Sequence, residues 1–156
     1  MQIEIIDAPL RISLFGYHGS LDRESVPVVG KRLMDKMWRE VQACGLKTKG
    51  INHWVYLPDS MMFTGIELAE DVTAVSTLAP LEVSLERYLR HVHTGPYSHL
   101  PQIWPQLVDE LKQQGEVPAK PSLEIYGHWN EDPSKCETTI LIALNQAIKK
   151  GIHDAS

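Results

Sequence analysis

The stretch Pro121-Ser122-Leu123-Glu124-Ile125-Tyr126-Gly127-His128-Trp129 sets a carboxylate among aromatic and β-branched residues. Its residue types alternate with a period of two, which predicts a strand. Leu123, Ile125 and Gly127 fall on one face, and Glu124, Tyr126 and His128 on the other. An ionised carboxylate is costly to bury unless something pairs it. Either this face meets water, the commoner case for a lone glutamate, or a cation arrives to meet Glu124. Trp54 and Tyr56 repeat the same two-residue spacing in an earlier apolar run. Aromatic faces attract cations, so recognition of a cation is the chemistry these residues could perform.

Other chemistries find less support. His91 and His93 share a strand face at a chelating spacing, but no third ligand accompanies them, and no metal is assigned. There is no G-x-S-x-G nucleophile elbow and no glycine-rich phosphate loop. Cys44 and Cys136 are far apart and neither belongs to a C-x-x-C pair, so two reduced thiols are expected. No cofactor is implied.

The 156 residues suffice for one domain with a full core, and 43% hydrophobic with 22% charged residues is an ordinary globular composition. The net charge of −5 argues against a nucleic-acid groove and favours cationic partners. No apolar run is long enough to span a membrane, and Met1-Gln2-Ile3-Glu4 does not open a signal peptide. A cytoplasmic protein with neither nucleic acid nor membrane as a direct partner is expected.

The elements that must position these residues follow in order. Leu10 to Tyr17 predicts a strand carrying Phe15 and Tyr17 on one face. A helix follows, with Ser25 as its cap, Pro27 in its first turn, and Val26, Val29, Leu33, Met37, Val41 and Cys44 on one stripe. Gly45 suits its C′ position. Ile51 to Leu57 and Met62 to Leu68 predict two strands, and Val72 to Glu82 a connector. Leu85 to His93 predicts one strand, broken by Thr94-Gly95-Pro96-Tyr97. A second helix carries Leu100, Ile103, Leu107 and Leu111 on its stripe, with Trp104 beside it. Pro105 should kink that helix or mark a later start. Gly115 follows as its C′ residue. After the Glu124 strand, Thr138 to Leu144 predicts the last one, and the tail from Asn145 one helical turn.

This order is strand-helix-strand-strand, twice. A shift of 70 lays Gly45 on Gly115, Tyr56 on Tyr126 and Trp54 on Glu124. The expected fold is α+β: two pseudo-symmetric βαββ repeats, about 3–71 and 83–145, forming an antiparallel sheet with helices on one face and a ligand cleft between repeats. The two helices are expected to cover one face, and the opposite faces of the two repeats to close the groove around Trp54, Tyr56, Glu124 and Tyr126.

The run His93-Thr94-Gly95-Pro96-Tyr97, then Trp104, Gly115, Pro118 and Glu124-Ile125-Tyr126, resembles the GyrI-like (AraC-type effector-binding) domain family. Its motif there is H-x-G-P-Y, a helix with a Trp, a Gly, a Pro, then E-x-Y. Tyr17-His18-Gly19, Trp54-Val55-Tyr56 and Gly65 resemble the family's more variable first repeat. The family usually has a proline near the end of its last strand, where this chain reads Ile142-Ala143-Leu144-Asn145. The resemblance implies a cleft for hydrophobic, often cationic small molecules, with Glu124 as counter-ion. Tyr126, Trp54, Tyr56, Trp104, Tyr97 and Phe15 are then candidate wall residues. Many members sit behind a helix-turn-helix, for which this chain has no residues to spare. Some stand-alone members resemble inhibitors of DNA gyrase, which would make a protein the partner. Others hydrolyse strained electrophilic rings, which would make Glu124 and Tyr126 catalytic.

Overall fold

The computed structural model describes residues 3–69 and 76–145. Its elements are β1 (Glu4–Ile6), β2 (Leu10–Ser20), α1 (Val26–Cys44), β3 (Thr48–Leu57), β4 (Met61–Leu68), β5 (Ala79–Leu85), β6 (Tyr88–Thr94), α2 (Leu100–Gln113), β7 (Pro118–Tyr126) and β8 (Glu137–Leu144). All eight strands join one sheet in the order β1-β6-β8-β7-β3-β4-β2-β5, every pairing antiparallel. The fold is α+β, as the alternation of strand and helix patterns predicts.

The units β2-α1-β3-β4 and β6-α2-β7-β8 occupy mirrored places in that order and meet where β3 pairs β7. At this seam Trp54 lies opposite Glu124. These two positions are also equivalent under the 70-residue shift, so the local twofold axis runs between them. Gly45 and Gly115 follow the two helices with φ of 62° and 77°, the left-handed backbone that ends a helix without a Cβ clash.

Both helices pack on the same face. Val29, Leu33, Met37 and Val41 of α1 bury against Tyr17, Met62 and Ile66. Leu100, Leu107 and Leu111 of α2 bury against Leu89, Ile140 and Ile142. The other face curls around its own core of Leu14, Val55, Phe63, Val83, Leu85, Leu123 and Leu141. The curl is strong. β5 and β6 lie far apart in strand order, yet only Glu86 and Arg87 separate them in the chain.

The curl overturns the expectation of a groove on the face away from the helices. That face closes on itself as apolar core, and the groove lies on the helix side, between α1 and α2. Strand boundaries also differ: β1 has no counterpart in the sequence pattern, β2 continues to Ser20, and β3 and β7 begin earlier, at Thr48 and Pro118. Leu85–His93 is not one strand: β5 ends at Leu85 and β6 begins at Tyr88. The connector read from Val72 to Glu82 contains most of β5, whose Pro80 lacks an N–H but sits on an edge strand that can spare it. Residues 72–75 of that connector, and the tail beyond Asn145, lie outside the described residues. α2 runs from Leu100 through Pro105, which is exposed, with no later start.

Candidate ligand cleft

Glu124 sits two residues before the end of β7 and is only 5% exposed. Its Oε1 accepts hydrogen bonds from the Tyr56 hydroxyl at 2.8 Å and the Tyr126 hydroxyl at 2.5 Å. Its Oε2 accepts from Trp104 Nε1 at 2.5 Å. Three neutral donors therefore hold a buried carboxylate and fix its orientation. No basic side chain hydrogen-bonds to it among the described residues. The tyrosines show the complementary effect. Burial first, then the charge of Glu124, pushes both phenols far above the ordinary tyrosine range. They stay protonated and donate to Glu124.

The donors reach Glu124 from three elements. Tyr126 is two residues along on the same face of β7. Tyr56 comes across the β3–β7 seam. Trp104 comes down from α2. Around them the rings stand edge to face: Trp54 on Tyr126 at 5.4 Å, Tyr97 on Tyr126 at 5.4 Å and Tyr56 on Trp104 at 5.8 Å between centroids. The other side is α1. Gly30, in the second turn of that helix, lies so close to Trp54 that an added Cβ would stand 2.4 Å from the indole ring. The missing side chain lets α1 lie directly on Trp54.

Between the helices this frame bounds a cleft of about 880 Å³. Of the candidate residues, Glu124, Tyr126, Trp54, Tyr56, Trp104 and Tyr97 all line it. Phe15 does not. It sits on β2, separated from β3 by β4, two strands or roughly 10 Å from the seam. Met34 and the start of α1 at Val26 and Pro27 also line the cleft, as do Lys120, Ser122 and Trp129. Ser122 shares strand parity with Glu124 and Tyr126, and Lys120 has the same parity one step beyond Pro121, where the pairing with β8 becomes irregular. The helix residues gave no such signal, because their approach depends on Gly30. Among the described residues no cluster of three or more His, Cys, Asp or Glu side chains could hold a metal.

No family model and no curated protein matches the chain. Solved structures do match. The C-terminal domain of EcmrR aligns with 92% of this chain and 97% of its own at a TM-score of 0.69 and 15% identity. The chain has the GyrI-like fold. A longer EcmrR chain, solved in a complex with DNA, matches at 0.69 and 13% identity, and this chain spans 57% of its length. SAV2435, solved bound to tetraphenylphosphonium, shares the GyrI-like fold at 0.62 and 14% identity over 98% of this chain and 99% of that one. A hydrolase from Listeria innocua shares it at 0.60 and 12% identity over 92% of each chain. Among the described residues, no helix is long and apolar enough to cross a membrane.

Proposed function

We propose that this chain binds hydrophobic, cationic small molecules in the cleft, with Glu124 as counter-ion. One observation carries the reading: a buried carboxylate with three neutral donors and no basic partner, at the base of an aromatic cleft. Such a group favours a ligand that supplies the missing charge. Each cation–π contact contributes about 0.5–2 kcal/mol, depending on desolvation. With apolar burial in a cleft of this size, micromolar affinity, about −8 kcal/mol, is within reach. Stacking and one charge tolerate many shapes, so specificity is loose, as suits sensing or sequestration of toxic compounds. The net charge of −5 gives no reason to expect direct DNA binding.

The test uses an aryl-trimethylammonium compound and its uncharged tert-butyl isostere, measured by calorimetry. Glu124→Gln should weaken the cation by about 2–5 kcal/mol, the usual cost of losing one member of a buried charge pair. The neutral isostere should bind nearly as before. Equal loss for both would make Glu124 a structural support, and no loss for either would place the ligand elsewhere.

A hydrolytic reading takes second place. The Listeria innocua hydrolase favours it, as does the pair of hydroxyls beside a carboxylate. Glu124 would take a proton from water while the resulting hydroxide opened an electrophilic ring, and a tyrosine would protonate the leaving atom. The tyrosines' raised pKa makes them reluctant proton donors, and both oxygens of Glu124 already accept hydrogen bonds from protein groups. Turnover of such a compound, lost in Glu124→Gln, would promote this reading over the first.

A further inference from the structure

Lys120 and Glu124 are the two charged side chains among the residues lining the cleft, which leaves it formally neutral. Lys120 stands four residues before Glu124 in β7, with Ser122 between them also lining the cleft. Its Nζ lies 5.9 Å from the centre of the Tyr56 ring. The hydroxyl of that same ring donates to Glu124. One aromatic plate thus carries the carboxylate at its tip and an ammonium near its face.

No carboxylate pairs with Lys120 among the described residues. Partial loss of solvent draws its ammonium below the ordinary lysine range. A lysine with a carboxylate partner would gain charge stabilisation there, and this one does not. The cleft therefore holds a cation without a carboxylate partner near the carboxylate of Glu124. A plain monocation satisfies Glu124 and is repelled by Lys120.

We propose that the cleft is built for amphoteric ligands, in which a delocalised cation resting against Glu124 and its aromatic frame carries an anionic or strongly accepting arm that reaches Lys120. The inference rests on the cation-binding reading above and deepens it by naming the ligand class. Lys120 then determines specificity: it rewards a zwitterion and penalises the corresponding monocation.

The experiment compares tetraethylrhodamine as its free acid, a zwitterion at pH 7.4, with its ethyl ester, a monocation bearing the same chromophore. Affinities are read by fluorescence polarisation on the full chain, the Lys120→Met and Lys120→Arg variants, and Glu124→Gln. Lys120→Met should weaken the acid about fivefold or more and tighten the ester about two- to fivefold, reversing or collapsing the preference for the acid. Lys120→Arg should retain that preference. Glu124→Gln should weaken both dyes. If Lys120→Met shifts both dyes equally, or neither, while both still depend on Glu124, this inference falls and the cation reading stands. If neither dye binds the unmodified protein, or if binding ignores Glu124, the cation reading falls and this inference with it.

Discussion

Tyr56 and Tyr126 show how one buried charge governs its neighbours. In the folded protein they cannot ionise in the usual range, because burial and the adjacent carboxylate oppose a second negative charge. In the unfolded chain both titrate near pH 10. Their folded pKa lies above the unfolded value, so the stability they contribute is intact below about pH 10 and is lost as pH rises beyond it. Each should remove about 1.4 kcal/mol per pH unit above that point. Absorbance at 295 nm should therefore show two tyrosines ionising only together with unfolding. Tyr56→Phe and Tyr126→Phe should each delete one of them and flatten the alkaline loss of stability. If both phenols titrate in the folded protein near pH 10, the hydrogen bonds to Glu124 are not present in solution.

At the scale of elements, α1 and the β3–β7 seam depend on Gly30. Alanine is the better helix former by about 1 kcal/mol, so propensity alone predicts that Gly30→Ala stabilises. The indole of Trp54, 2.4 Å from where the new Cβ would stand, predicts the reverse. The variant should lose stability by about 1–3 kcal/mol, as overpacked sites do, and should lose cleft binding more severely, because Trp54 must move. Chemical denaturation with a cationic dye titration checks both. An alanine that stabilises without harming binding would show that α1 does not lie on Trp54. Gly30 also marks where legibility in the sequence ended. Period-two alternation found Trp54, Tyr56, Glu124 and Tyr126, because a strand's faces are fixed by parity. Which side of the sheet the helices take is decided by long-range packing. The apolar alternation of Leu14, Val55, Phe63 and Leu123 looks the same whether a helix or the curled sheet covers it. For that reason the groove expected on the face away from the helices lies instead on the helix side, where Trp54, Tyr56, Glu124 and Tyr126 line it. Phe15 passed the same parity test as Tyr17 and failed only on strand order, which no local pattern encodes.

Over the whole molecule, the repeat was visible at the level of Gly45 against Gly115 and Trp54 against Glu124, and the structure turns that correspondence into a twofold relation. The passage between the two ends of the sheet was not visible, since Leu85 to His93 reads as a continuous strand. Arg87, in the two-residue link from β5 to β6, makes a bidentate pair with Glu116 beyond the end of α2, both contacts at 2.6 Å. The two side chains are 20% and 10% exposed. The hydrogen bonds from Arg87 hold the Glu116 carboxyl below its usual range. Its folded pKa is depressed, so this contribution is present above the ordinary glutamate value and disappears as pH falls through the lowered one. Arg87→Met should cost about 1–3 kcal/mol at neutral pH, and the deficit should vanish in acid. Urea unfolding at pH 7 and pH 3 makes the comparison. A deficit that persists at pH 3 would assign Arg87 a packing role instead.

The seam has a consequence for assembly. Trp54 and Tyr56 belong to one half of the chain and Glu124 and Tyr126 to the other, and four residue pairs join β3 to β7. Neither half alone owns a cleft. A ligand seated there touches both sides of the joint and so acts as an adhesive between them. By mass action, occupancy strengthens the joint in proportion to the logarithm of free ligand once the site is saturated. On the proposed reading, a bound small molecule would register as greater cohesion between the two halves, with no change required in the shape of either.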